Sequence, residues 1–274
     1  MWEFGWAAEA ERPQVVALWQ RAFGDSEAWV SRFWDLCFAP ERILVLRQQG
    51  KLAAMASIFE TDWLCGGRQT RLWYLYAVAT QPEQSGQGLA TALLEQAAVL
   101  AMQRGVEGLL LVPGETSLQA FYSARGYRPW GARQERQLFK PDSPNPADTA
   151  VRIDAEAYGA ARERHLQALS HVKLGEDYLR VQQMMAASAG GALLQLQIAD
   201  TQGCAVVIPT GQTVYVPELL VPQPLWARAV AQIAALFPAQ SYRICTPGTD
   251  QSFGMLRTWK RELNQMGYRG LSLD

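Results

Sequence analysis

The passage from Leu72 to Arg104 constrains this chain most. Leu72–Thr80 is apolar and aromatic-rich and reads as a strand. From about Gly88 to Arg104 the apolar residues Leu89, Ala92, Leu93, Ala97 and Leu100 recur at the period of one buried helix face. Gly105 stands where a left-handed residue ends a helix. The connection between strand and helix contains Gly86 and Gly88. A strand that feeds a helix through such a loop leaves several main-chain N–H groups unpaired, and the helix dipole adds partial positive charge there. Together they suit a diphosphate. Gly86 and Gly88 allow phosphate oxygens close to the backbone, and Ala90 and Thr91 leave the first turn uncrowded. Two other phosphate loops are disfavoured. There is no GxxxxGK[ST], and the third glycine of a GxGxxG would fall on Thr91.

The rest of the N-terminal half alternates strands and helices. Residues 2–8 read as a strand and 11–23 as a helix, and a second helix, capped by Asp25 or Ser26, runs to about Phe38. Ile43–Arg47 and Lys51–Glu60 read as a hairpin turning at Gln48-Gln49-Gly50. Gly108–Val112 is apolar on both faces, as in a central strand. A helix over 115–125 and two short strands over 127–139 follow. Lys140–Thr149 carries three prolines and reads as a linker.

Composition sets outer bounds. The chain has 274 residues, 49% hydrophobic and 19% charged, which suits one large or two ordinary globular domains. A net charge of -1 gives no basic surface for nucleic acid. Cys37, Cys65, Cys204 and Cys245 form no CxxC, and His165 and His171 are poorly spaced for one helix face, so no metal is expected. No segment reads as a signal peptide or membrane span, so a cytoplasmic protein without membrane contact is expected.

With these residues in view, the chain resembles the GNAT acetyltransferase superfamily. That family's loop, Arg/Gln-x-x-Gly-x-Gly/Ala, aligns with Ser85-Gly86-Gln87-Gly88-Leu89-Ala90; Gly88 and Ala90 match and Ser85 departs. Downstream, Phe121-Tyr122-Ser123-Ala124-Arg125-Gly126-Tyr127 looks like the family's Phe-Tyr-x-x-x-Gly-Phe, with Tyr127 for Phe. The resemblance covers roughly residues 72–130. It implies acetyl-CoA as co-substrate, held by Val78, Ala79 and Thr80 on the strand and by Ser85, Gly86, Gln87, Gly88, Leu89, Ala90 and Thr91 on the loop and helix. It implies that the strand splays from Gly108–Val112 to free main-chain groups for the pantetheine amides. Glu115 stands where many members carry Asn, and the resemblance places it among the cofactor-binding residues, at the pantetheine. Tyr122 is the candidate general acid for the departing thiolate, and an N–H near Val78 can meet the oxyanion. The general base stays open among Glu60, Asp62, Glu83 and water. Tandem aminoglycoside acetyltransferases add the chain's terminal carboxylate as a further idea.

The second half echoes the first. Asp200-Thr201-Gln202-Gly203 repeats the hairpin, Val214–Val221 the loop-bearing strand, Cys245–Asp250 the stretch Leu111–Thr116, and a helix ending in Gly267-Tyr268 the one ending in Gly126-Tyr127. In place of the glycine loop stands Pro222-Gln223-Pro224-Leu225-Trp226, whose prolines remove N–H donors. The expectation is an α/β fold of two tandem GNAT-like units, each a mixed, mostly antiparallel sheet with helices on both faces. Residues 1–140 form the acetyl-CoA-binding catalytic domain, 141–149 a linker and 150–274 a degenerate domain. The expected reaction is acetyl transfer to a primary amine of a small molecule or peptide, by a monomer or homodimer. The rivals are a non-catalytic acyl-CoA sensor and an aminoacyl-tRNA-dependent transferase. Trp63, Trp73 and Tyr74 are expected in the core, with an acceptor-pocket wall as their other role; Trp226, Trp259 and Tyr268 are expected in the core.

Overall fold

Apolar alternation, turn glycines and helix caps divide the chain into fourteen strands and seven α-helices among the described residues, 2–39, 41–139, 143–260, 263 and 267–273 of a computed structural model. In order they are β1 (Trp2–Trp6), α1 (Arg12–Phe23), α2 (Glu27–Cys37), β2 (Ile43–Gln48), β3 (Lys51–Cys65), β4 (Arg68–Thr80), α3 (Leu89–Gln103), β5 (Gly108–Leu111), α4 (Leu118–Ser123), β6 (Arg128–Pro129), β7 (Ala132–Phe139), β8 (Thr149–Ile153), α5 (Ala155–Leu166), β9 (His171–Leu174), α6 (Glu176–Ser188), β10 (Ala192–Ile198), β11 (Thr201–Thr210), β12 (Thr213–Leu220), α7 (Trp226–Leu236), β13 (Ser241–Ser252) and β14 (Met255–Thr258). Local chemistry explains the boundaries. Pro13 sits in the first turn of α1, and Gly24, at φ 76°, ends it. Ser26 Oγ accepts from Trp29 N and caps α2. Gln49 and Gly50 both have positive φ, the geometry of a two-residue hairpin turn.

The chain forms two compact units: 1–62 with 70–128 and 255–264, and 63–69 with 129–254 and 265–274. In the first, strands run in the order β1-β2-β3-β4-β5-β14. β1–β2 and β2–β3 pair antiparallel, β4–β5 parallel, and β5–β14 antiparallel. Side chains of β4 alternate between two layers. Trp73 and Leu75 join the core beneath α3, with Leu93, Leu94, Ala97, Ala98 and Ala101. Tyr74 and Tyr76 face an aromatic layer with Phe59, and Trp19 of α1 and Phe33 of α2 lie 4.7 Å apart within it.

In the second unit the order is β7-β13-β12-β11-β10-β8, parallel only at β12–β13. Six strands of the first sheet, β1-β2-β3-β4-β5-β14, run in the same relative order as β8-β10-β11-β12-β13-β7 of the second, and the first sheet also carries β6 beyond β14. Each sheet takes a strand from the other half of the sequence: β14 in the first and β7 in the second. A core of Leu194, Leu196, Val207, Val216, Val230, Ile233 and Ile244 fills the second unit.

Some local expectations change. β3 and β4 extend to Cys65 and Arg68 because Gly66 and Gly67, both at positive φ, make a second tight hairpin. The helix expected over 115–125 is shortened to α4, and Ser117 Oγ instead bonds the Glu115 carboxylate at 3.0 Å. Cys245–Asp250 does not turn away as Leu111–Thr116 does. It continues as β13 against β7 through a bulge, where Gly248 packs on the Gln134 side chain and Gln134 Nε2 donates to Pro247 O. Trp259 is 36% exposed and outside the core. The helix expected to end at Gly267-Tyr268 falls largely outside the described residues, as does Asp274.

Candidate active site

The candidate site is built where β4 hands over to α3. β4 pairs with β5 only at Trp73↔Leu109 and Tyr74↔Leu110. Beyond Tyr74 the two parallel strands make no further pairs with each other. Ala77 then adopts φ 51°. A left-handed residue within a strand is an inserted step that shifts the side-chain phase. Leu75 and Val78, three apart, accordingly both pack toward the core under α3. Holding an alanine there costs about 1–3 kcal/mol, strain of the kind that gathers at functional sites. Val78 and Thr80 are half-buried and Ala79 is buried.

The loop start is fixed firmly. Gln81 N donates to Ala53 O, and Gln81 Nε2 to Leu52 O. Arg21 Nη1 of α1 bonds Gln81 Oε1 at 3.0 Å and Glu83 Oε1 at 3.2 Å. Gln84 Nε2 donates to Gln48 Oε1. A 3-10 turn over Pro82–Gln84 follows, then Gly86 at φ 79° and Gly88 at φ 82°. An added Cβ at either glycine would meet nothing within 4 Å, so both face open space.

The main-chain donors fall into two groups. Ser85 N is bonded to Pro82 O at 3.1 Å and Gln87 N to Gln84 O at 3.4 Å. Among the described residues, the N–H groups of Gly86, Gly88, Leu89, Ala90 and Thr91 have no acceptor within the chain. Gly88, the N-cap of α3, brings no side-chain cap. These donors open the helix where its dipole is positive. The arrangement can therefore bind an anion with several oxygens.

Tyr122 lies on α4, with its ring in the same core cluster as Leu89 and Leu111. It is 8% exposed and meets Phe121 and Tyr127 edge to face, with ring centres 5.2 and 5.6 Å away. Burial pushes its phenol above the ordinary value, and the Arg125 charge only partly opposes this. The hydroxyl therefore stays protonated at neutral pH and can donate. Tyr127, at the motif's last position, is 2% exposed, and its hydroxyl has no hydrogen-bond partner among the described residues.

α4 and the first turn of α3 are joined by a contact that spacing alone does not reveal. Arg125 Nε donates to Thr91 Oγ1 at 2.8 Å. Arg125 was visible only as an unassigned position of the motif. Glu115 is exposed and bonded by Ser117, with no contact linking it to this group. Glu60 is exposed, Asp62 half-buried, and Glu83 is held by Arg21 in a surface ion pair. Trp73 and Tyr74 are 2% and 1% exposed and belong to the core. Trp63 is buried in the second unit against Trp130.

In the second unit, β12–β13 pairing stops at Val216↔Ile244 and a 3-10 turn, Gln223–Leu225, leads into α7. The turn begins at Pro222, carries Pro224 and has no glycine. Among the described residues no group of three or more His, Cys, Asp or Glu could hold a metal ion, and no helix is long and apolar enough to cross a membrane.

Comparison with known proteins fits this geometry. Residues 6–130 match the family model of the acetyltransferase (GNAT) domain. A curated relative, an aminoglycoside 2'-N-acetyltransferase of Mycolicibacterium fortuitum, is 27% identical over 122 residues, covering 44% of this chain and 58% of that protein. A GCN5-related N-acetyltransferase of Anabaena variabilis superposes with a TM-score of 0.76 at 14% identity, over 94% of this chain and 73% of the other. Eis1 of Mycobacterium abscessus gives 0.69 at 14% identity with the same coverage. A putative acetyltransferase of Pyrococcus horikoshii gives 0.62 at 12% identity over 99% and 95%. The structural likenesses establish the shared fold.

Proposed function

We propose that this protein, which carries a GNAT acetyltransferase domain, moves an acetyl group from acetyl-CoA to a primary amine of a small molecule or peptide. The observation that carries the reading is the row of unpaired amides at Gly86 and Gly88–Thr91 beside the parting of β4 from β5. The amides suit the diphosphate of the donor. The edge of β4 beyond Tyr74 offers Val78 and Thr80 main-chain groups to the pantetheine amides. As the amine attacks the thioester, the carbonyl oxygen gains negative charge, which an N–H near Val78 stabilises. Tyr122 gives its proton to the leaving thiolate, and the proton shed by the attacking nitrogen, carried through water, restores the phenol. That protonated phenol is what favours catalysis over passive binding of an acyl-CoA. The second unit, with prolines at the matching turn, takes no CoA in this reading.

The test is thermal shift with acetyl-CoA, followed by thiol release from acetyl-CoA against a panel of amines. Aminoglycosides enter the panel first, as the substrate class named for the Mycolicibacterium fortuitum relative; polyamines, amino acids and peptides follow. A rise in melting temperature and amine-dependent thiol release are expected. Binding with no release for any amine would make the protein a sensor. No shift at all would remove the acyl-donor reading.

A further inference from the structure

Arg125 is pinned at the mouth of α3. Its Nε donates to Thr91 Oγ1 at 2.8 Å, its Nη1 donates to Phe121 O at 2.5 Å, and its guanidinium carbon lies 3.5 Å from the Phe121 ring centre. Thr91 is the third residue of α3. A permanent cation is thus held beside the helix end whose own amides already carry partial positive charge. Two like charges so arranged repel one another unless an anion joins them. Among the described residues no carboxylate lies within 4.0 Å of Arg125, and Glu95, which feels its charge, is beyond ion-pair reach. Glu95 has both oxygens bound by Arg257, at 2.7 and 2.8 Å. The loop itself offers no cation, since its charged residue, Glu83, is an acid paired with Arg21. Nη2 of Arg125 has no hydrogen-bond acceptor among the described residues.

We infer that Arg125 is a phosphate-binding residue of the donor site. Its unused guanidinium edge takes a phosphoryl oxygen while the α3 amides take others. Thr91 positions it through its hydroxyl. This rests on the acetyl-CoA reading above. Either the diphosphate or the 3'-phosphate of the donor can supply the oxygen, and both are phosphate esters of one ligand.

The experiment is calorimetric binding of acetyl-CoA, acetyl-3'-dephospho-CoA and acetylpantetheine to wild type, Arg125→Gln, Arg125→Lys and Thr91→Val. Arg125→Gln is expected to weaken acetyl-CoA about 10- to 100-fold, the range for a lost charged hydrogen bond, and to leave acetylpantetheine unchanged. Arg125→Lys recovers part of the loss, keeping the charge without the fork. If dephospho-CoA weakens alike, the diphosphate is the partner; if it is spared, the 3'-phosphate is. Thr91→Val keeps the cation but releases it. It is expected to weaken acetyl-CoA by a smaller factor, and it carries the test if Arg125→Gln does not fold. Acetyl-CoA affinity of Arg125→Gln within about twofold of wild type, or an equal loss for acetylpantetheine, would overturn the assignment. Wild type that binds no acetyl-CoA would overturn the donor reading and this assignment together.

Discussion

Tyr74 stands opposite Leu110 as the last residue of β4 that pairs with β5. Three residues later, Ala77 turns through positive φ and shifts the phase of the strand. The parallel pairing also stops in the second unit, after Val216↔Ile244, without a left-handed residue in β12, and the following turn carries prolines in place of glycines. Two strands that part leave unpaired main-chain groups along their inner edges, which must find partners elsewhere. The reading of this protein as an acyl-donor-binding enzyme starts from that opening.

Replacing Tyr122 with Phe removes the proposed proton donor and little volume. The expected result is a fall in kcat of about 10- to 10³-fold, with little change in the KM for acetyl-CoA. In wild type, burial holds this phenol above its ordinary value of 10.0, so any loss of rate through its ionisation falls above pH 10. Steady-state rates with an accepted amine across pH check both statements. Unchanged turnover in Tyr122→Phe would remove Tyr122 from the chemistry.

Tyr127 makes the opposite prediction. Its buried hydroxyl has no partner among the described residues, and burial pushes its ionisation well above the ordinary phenol range. An unsatisfied buried polar group costs about 1–3 kcal/mol. Tyr127→Phe is therefore expected to raise the unfolding free energy by about 1 kcal/mol and to leave kcat unchanged. Chemical denaturation measures it. A clear loss of stability would mean that the hydroxyl is bonded in solution.

The C-terminal segment belongs to the core of the second unit. Leu271 and Leu273 are 0% and 1% exposed. Leu271 O accepts from Tyr178 Oη at 2.8 Å and from Arg269 Nη1 at 2.6 Å, and Ser272 O accepts from Gln182 Nε2. Deleting residues 270–274 exposes two leucine sites worth about 1.5–3 kcal/mol each. It also removes the Leu271 carbonyl to which the buried Tyr178 hydroxyl donates. A large drop in melting temperature is expected, read by calorimetry. A truncated protein that melts with wild type would contradict the packing of this segment.

The sequence was most legible where structure is local. The α3 stripe, the Gln49-Gly50 hairpin and the glycine loop each follow from neighbouring residues, and each lies where the spacing puts it. The free amides at Gly86 and Gly88–Thr91 also follow from local geometry, although Ser85 and Gln87 use theirs inside the turn. What escaped notice depends on distant pairing. β7 is mostly polar and β14 only four residues long, and nothing in their residues says which sheet each joins. The left-handed Ala77 has no compositional mark, because alanine is not chosen for that conformation. Arg125 reaches a partner 34 residues away, so the motif shows its position and not its contact.

Amide hydrogen exchange with and without acetyl-CoA tests the central claim most directly. The account predicts that the amides of Gly86, Gly88, Leu89, Ala90 and Thr91, which have no acceptor among the described residues, become protected when acetyl-CoA saturates the protein, while the α7 entrance at Pro222–Trp226 does not. Exchange at these five amides that is unchanged under saturating acetyl-CoA would contradict it.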